Sequence, residues 1–413
     1  MSPTPATMAL PTHPSAYAWE ATDEQVAERY GVPLERIVRF DLNTSPAPPD
    51  LALRLLRAGD YGRAISEYPP ADYRELVAAA AERYGVDGSD LLVGAGADEI
   101  LDMLAKAFIA PGASAVIPTP TYAMYRVLTE QRPARPALVP RAPAARGYAL
   151  DLAAVRTAAR DAALVWLCDP NNPTGLAEPD GAVADLLAGL LADAEALGRV
   201  APVVVLDEAY AEFIGRSHVA LRDVYPRLVV VRTASKAYAL AGMRVGFAIA
   251  RPELIAELAP YRPPGSVAIP SVAVVTAALR DPDALAANVA RVARERARLA
   301  AAFAAAGFPA NASVTNFLLV ELGGPPAARA MADGLLSRGL VPRTFGADHL
   351  LAGHLRFTVR DEAQDDRLIA AFTGLAPTAR GAVGATPDPE EPTPGRRRSA
   401  AFPLILARGA ASP

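Results

Sequence analysis

Residues 228–247, LVVVRTASKAYALAGMRVGF, decide how the rest of this chain is read. The first six, LVVVRT, are apolar and largely β-branched on both alternating faces, the pattern of a strand buried within a parallel sheet. The run stops at small polar residues, with Thr233 and Ser235 offering hydroxyls and Lys236 an amine. Arg244 follows eight positions later (244 − 236 = 8), just before a second apolar run, VGFAIA. An amine at the end of a buried strand, flanked by hydroxyls and near a guanidinium, suits a Schiff-base lysine beside an anion pocket. Taken alone, the Ser-Lys pair is equally what a solvated surface turn would carry.

Apolar runs recur on both sides of this stretch: AVIPTP from 115, ALVWLC from 163, PVVVLD from 202 and VGFAIA from 245. Helical patterns separate most of them, which predicts a mostly parallel α/β sheet covered on both faces. Active groups of such sheets gather at the carboxyl ends of strands, where Asp169, Asp207 and Lys236 stand. Earlier in the chain, LLVGAGADEILDML runs from strand through a glycine turn into a helix. That turn puts the amides of Ala97 and Asp98 at a helix N-terminus, a ready anion site without the dinucleotide fingerprint.

The chain has 413 residues, 52% hydrophobic and 21% charged, with a formal net charge of −4. That length predicts more than one domain, and the charge balance argues against nucleic acid as a partner. A single cysteine, Cys168, excludes an intramolecular disulfide, and its place in an apolar run predicts core packing. The four histidines, His13, His218, His349 and His354, show no metal-ligand spacing, so no metal is expected. With neither a signal-peptide pattern nor an apolar run of about 18–20 residues, a cytoplasmic protein without membrane contact is expected.

Residues 1–20 are rich in Pro, Thr and Ala and are expected to be disordered or loosely draped. Residues 21–45 should begin with a short helix capped by Thr22 and Gln25, then pack against a smaller C-terminal domain. Residues 46–280 form the expected large domain, with Pro69 and Pro70 opening a helix that ends near Gly85. Residues 281–376 form a smaller α+β domain that starts with a helix over about 285–306. Residues 377–413, rich in Pro, Gly and Ala, are expected to be a disordered tail, with 402–406 a possible docking patch.

Four stretches carry the chemistry together: PTPTYAMY, DPNNPTG, LDEAYAEF and TASKAYALAGMRVGF. In order, spacing and residue type they resemble the fold-type I pyridoxal-phosphate aminotransferases of class I/II, most closely the histidinol-phosphate aminotransferase family. The resemblance covers about residues 30–372. It implies a large domain with a seven-stranded-type sheet between helices, and pyridoxal 5'-phosphate as cofactor. Lys236 would carry the cofactor's aldehyde and shuttle the substrate proton. Asp207 would keep the pyridine nitrogen protonated, while Asn172 and Tyr210 would hydrogen-bond the phenolic oxygen. Tyr122 would stack on the ring. The amides of Ala97 and Asp98, with Thr233, Ser235 and Arg244, would grip the phosphate.

The resemblance also implies a homodimer with a shared active site, because Tyr68 matches a tyrosine that reaches the neighbouring subunit's phosphate. Asn43, Arg343 and Arg356 would bind substrate; the two arginines stand thirteen positions apart (356 − 343 = 13). The partners would be an amino donor and a 2-oxo acid, probed first with 2-oxoglutarate. One departure stands out: where the family reads LN-x-NENP, this chain reads LNTSPAP from Leu42, with Ala47 in place of a polar or aromatic group. That leaves aromatic and other amino donors open beside histidinol phosphate. A decarboxylase acting on an amino-acid phosphate and a non-catalytic cofactor-binding protein are the alternatives.

Overall fold

The computed structural model describes residues 16–382. Its strands are β1 (Val38–Arg39), β2 (Leu91–Gly94), β3 (Ser114–Thr119), β4 (Arg135–Pro140), β5 (Leu164–Cys168), β6 (Val203–Asp207), β7 (Leu228–Thr233), β8 (Gly246–Ile249), β9 (Phe317–Glu321), β10 (Leu340–Val341) and β11 (His354–Thr358). Seven of them form one sheet in the order β2-β8-β7-β6-β5-β3-β4. Neighbours are parallel except where β8 lies, antiparallel to both β7 and β2.

Every residue of β5, β6 and β7 is buried, which is why these segments are continuous apolar runs rather than alternating ones. Helices Arg74–Tyr84, Leu152–Ala159, Ala182–Ala196 and Ile269–Leu279 cover one face. Helices Ala97–Phe108, Met124–Gln131 and Pro252–Leu258 cover the other. Each fully buried aliphatic side chain contributes about 1.5–3 kcal/mol, so this two-sided core fixes the strand ends firmly. The run RPALVP of β4 is not among the runs expected to be strands, and two prolines in six residues argue against one. Its place at the sheet edge removes the objection, since an edge strand need not donate on both sides.

A second core lies between β9, β11 and the helices Pro282–Ala305, Pro325–Leu336 and Glu362–Gly381. Phe303, Phe357 and Phe372 meet there, with ring centroids 4.3–5.8 Å apart. β1 pairs in parallel with β10, so residues 38–39 are stitched to this lobe. Upstream, Thr22 and Gln25 exchange the two hydrogen bonds of a capping box.

Three boundaries differ from those expected. The helix predicted to open at Pro69 and Pro70 begins at Arg74, because Tyr73 N–H closes a turn on the Pro70 carbonyl and Tyr73 is left-handed (φ 46°). The last helix runs to Gly381 instead of stopping near Leu375. It passes through Pro377 because Ala376 and Ala379 continue its buried face, and residues 377–381 are therefore helical rather than tail. Residues 16–20, assigned to a disordered extension, are docked against the site described below. Residues 1–15 and 383–413, including the possible patch at 402–406, lie outside the described residues.

Candidate active site

β6 and β7 end side by side, with Asp207 opposite Val231 and, across the other neighbour, Cys168 opposite Asp207. Beyond β7 the chain makes a tight turn. The Ser235 amide donates to Thr233 Oγ1 (3.1 Å), and that hydroxyl lies 2.9 Å from Ser235 Oγ and 3.2 Å from the Val245 carbonyl. Thr233 thus spends its hydroxyl on shaping the turn that presents Lys236.

Lys236 Nζ lies 5.9 Å from the centroid of the Tyr210 ring and makes no hydrogen bond among the described residues. Burial, followed by the nearby Arg356 guanidinium, lowers its ammonium to about 8. Surface area gives Lys236 only intermediate exposure, which fits an amine walled in by protein yet open to a cleft. Asp207 is buried and burial raises its carboxyl to about 6. Its Oδ1 accepts from the Ala209 amide (3.0 Å) and its Oδ2 from Tyr125 Oη (2.8 Å). Tyr125 was not among the sequence candidates; its signal was the spacing YAMY, which places it one helical turn beyond Tyr122.

Tyr210 Oη accepts from Asn43 Nδ2 (2.9 Å) across 167 positions of sequence. Asn43 is held in a left-handed conformation (φ 54°), with its amide on Thr358 Oγ1 and its carbonyl taking the Asn316 side chain. Expected at the substrate, it is bonded here to Tyr210, the residue expected at the cofactor. Asn172 accepts from Arg356 Nη1 (2.5 Å) through Oδ1.

The helix Ala97–Phe108 starts directly after Gly96, so the amides of Ala97 and Asp98 have no partner within it. Arg244 Nη2 lies 3.2 Å from Asp98 Oδ2, and Tyr122 Oη donates to Asp98 Oδ1 (3.0 Å). The backbones approach so closely that a Cβ on Gly246 would sit 2.6 Å from the Ala97 nitrogen, and one on Gly96 2.6 Å from Arg244 Nη2. Ala97, Asp98 and Arg244 therefore meet at one helix start, beside Gly246, which pairs with Thr233. Asp98 supplies it with a carboxylate as well as an amide.

The arginines are brought together by β-structure. Arg343 and Arg356 face each other in an antiparallel bridge, each amide donating to the other's carbonyl at 3.0 Å. Arg356 is buried, donates through Nη2 to the Asp41 carbonyl, and lies over the Phe317 ring (5.2 Å). Arg343 donates to the Ala18 carbonyl (2.8 Å) and lies over the Tyr17 ring (5.3 Å). Glu20 accepts from the Thr344 amide (2.8 Å) and hydroxyl (2.9 Å). Tyr17 in turn meets Tyr122 edge-on at 6.2 Å. Residues 16–20 thus form a strap on the site, and composition alone could not distinguish them from the Pro-rich stretch before them.

Two expected or grouped residues stand apart. Tyr68 is 88% exposed and makes no hydrogen bond among the described residues. Asp169 turns to His218 Nε2 (2.8 Å), Arg216 (3.2 Å) and the Glu178 amide (2.8 Å), so it fixes the loop that carries Asn172. Among the described residues, no group of three or more His, Cys, Asp and Glu side chains is placed to hold a metal ion, and no helix is long and apolar enough to cross a membrane.

Residues 39–372 match the profile of the family Aminotransferase class I and II. The chain belongs to that family. This aminotransferase is 36% identical over 364 residues to the histidinol-phosphate aminotransferase of Roseiflexus castenholzii, covering 86% of this chain and 93% of that one. It is 37% identical over 346 residues to that of Symbiobacterium thermophilum, covering 82% and 90%. Among solved structures it superposes on histidinol-phosphate aminotransferase from Sinorhizobium meliloti, in complex with pyridoxal-5'-phosphate, with a TM-score of 0.78, 26% identity and coverage of 87% and 96%. Aspartate aminotransferase from Thermus thermophilus with maleate, at 22% identity and TM-score 0.70 over 86% and 97%, shares the fold.

The protein is a pyridoxal-phosphate-dependent aminotransferase of fold type I. Its donor set fits that cofactor: an amine without a hydrogen bond among the described residues, a buried carboxylate, a phenol and an amide side chain, and a helix start whose first amides lie beside Arg244.

Proposed function

We propose that this aminotransferase moves the amino group of histidinol phosphate to 2-oxoglutarate, as a cytoplasmic homodimer in which Tyr68 reaches the neighbouring subunit's cofactor phosphate. The observation that carries the reading is the Arg343–Arg356 backbone bridge, which sets the two arginines side by side, with the Arg356 guanidinium near Lys236. One guanidinium suits a carboxylate and two suit a phosphate dianion. The names of the curated relatives support the phosphorylated donor.

When bound, the cofactor supplies an electron sink for the carbanion formed at the substrate's α-carbon. Lys236 Nζ would hold its aldehyde and would serve as the group that carries the α-proton; burial already lowers this amine to about 8 in the protein itself. Asp207 would hold the proton on the pyridine nitrogen. Tyr210 and Asn172 would hold the phenolic oxygen, and Tyr122 would lie on the ring. The Ala97 and Asp98 amides, Ser235 and Arg244 would hold the phosphate, with Thr233 shaping the turn. Asn43 acts at the substrate end through its bond to Tyr210.

The test is a donor screen with histidinol phosphate, phenylalanine, tyrosine and threonine phosphate, scored by glutamate formed from 2-oxoglutarate. Preference for histidinol phosphate is expected. Preference for an unphosphorylated aromatic donor would redirect the reading, and CO2 release without a keto product would sink it.

A further inference from the structure

The geometry points to Tyr125 as a positioning residue that acts on the reaction through Asp207: its phenol holds the aspartate as an oriented carboxylate, ready to keep a proton on the cofactor's pyridine nitrogen. The inference rests on the Asp207 role proposed above. Tyr125 is itself fully buried, and its Oη donates to Asp207 Oδ2 at 2.8 Å.

The ring is fixed independently of that hydrogen bond. It stacks on Trp166 with centroids 5.3 Å apart and planes 6° from parallel. Trp166 Nε1 donates to Thr129 Oγ1 (3.1 Å), whose hydroxyl donates to the Tyr125 carbonyl (2.7 Å). The phenol is therefore aimed at the aspartate by a closed set of contacts on one helix and one strand. Asp207 Oδ1 is already spent on the Ala209 amide, so Tyr125 is the side-chain donor that sets which way Oδ2 faces.

Electrostatics favour the same role. Around Asp207 stand Tyr125 from one helix, Cys168 from β5, Asp98 from another helix, Lys236 from the turn after β7 and Tyr210 just beyond β6. Burial and Asp98 favour a neutral acid; the Tyr125 phenol, the Ala209 amide and Lys236 favour the carboxylate. Burial and the adjacent Asp207 push the Tyr125 phenol far above its ordinary range, so it stays a donor throughout the working pH. Removing one hydroxyl would shift the balance toward a protonated Asp207, which cannot stabilise a pyridinium.

Tyr125→Phe keeps the stacked ring and deletes only the donor. The dissociation constant of pyridoxal phosphate from the full-length protein, measured against pH by quenching of intrinsic fluorescence, reads the effect without turnover. A charged-acceptor hydrogen bond of about 1.5 kcal/mol corresponds to an acid-side midpoint about one pH unit higher, which weakens cofactor binding roughly twofold at pH 7 and roughly tenfold at about pH 5. On an Asp207→Asn background, Tyr125→Phe should change neither. Trp166→Phe, which disturbs packing and leaves the hydroxyl, should lower thermal stability without moving the midpoint. An unmoved midpoint in Tyr125→Phe, with Asp207→Asn abolishing the pH dependence, would overturn the Tyr125 role alone. A wild-type pH dependence in Asp207→Asn would overturn the Asp207 reading and this one with it. A midpoint moved equally by Trp166→Phe would reduce Tyr125 to packing.

Discussion

Asp207 and Lys236 stand at the ends of fully buried central strands, whereas Arg343 and Arg356 are carried by two-stranded pairings at the edge of the smaller lobe. At the first end, the turn is tied by bonds between residues 2 to 12 positions apart. At the second, the ties span 315 positions from Arg356 to Asp41 and 325 from Arg343 to Ala18. The turn that carries Lys236 is shaped by short-range bonds at the end of a buried strand. The substrate end exists only once distant parts of the chain have met.

That contrast can be broken most forcefully at the Lys236 end. Lys236→Ala should lower amino transfer by about 10⁴-fold or more, while the melting temperature of the apoprotein stays within a few degrees of wild type. A variant retaining appreciable turnover would show that the strand-end amine is not the reacting group.

At the other end, Arg356→Ala should cut kcat/KM roughly 10–100-fold, the value of one charge-assisted bond to substrate, with most of the change in KM. Arg343→Ala should cost less, because its side chain also serves the strap through Ala18 and Tyr17. Equal effects from both would mean that the bridge acts as one unit. A smaller change is expected from Glu20→Ala, which removes its bonds to the Thr344 amide and hydroxyl and its ion pair with Arg343: about fivefold in KM, for ~1 kcal/mol, with the cofactor dissociation constant unmoved. If cofactor binding fell with it, the two ends would not be separable.

Part of this arrangement was legible beforehand. The strands β5, β6 and β7 declare themselves because burial on both faces demands unbroken apolar runs, and Asp207 and Lys236 follow from where those runs stop. The glycine turn ahead of Ala97 was visible for the same local reason. What sequence did not give was pairing at a distance: the Asn43–Tyr210 bond, the Tyr125–Asp207 bond and the Arg343–Arg356 bridge. Thirteen residues between two arginines do not say that they face each other across a bridge. Residues 16–20 were missed because a strap is held by its host, and its own composition says little.

The smallest effect tests whether the substrate lobe is also the more pH-sensitive. Asp365 is completely buried, both its oxygens accept from the Arg360 amide at 3.1 Å, and buried Glu295 is among its neighbours. Burial is the main cause raising its carboxyl to about 7, against about 3.9 in an unfolded chain. The folded state favours the protonated acid, so this contribution to stability is present below about pH 4 and is lost as pH rises through about 7. Asp365→Asn should therefore melt a few degrees above wild type at pH 8, with the difference shrinking or reversing at pH 5. Parallel melting curves for the two proteins across that range would remove Asp365 as the cause.

The paired arginines carry a further consequence. Repulsion between the two guanidiniums, only partly offset by Glu20 at 3.7 Å from Arg343, combines with burial to weaken the hold of Arg356 on its proton. An incoming anion relieves that repulsion as well as making new bonds, so divalent anions gain more than monovalent ones. The same reasoning makes ordinary buffer ions competitors: sulfate or inorganic phosphate should both stiffen this lobe and inhibit it, and ionic strength becomes part of the enzyme's selectivity.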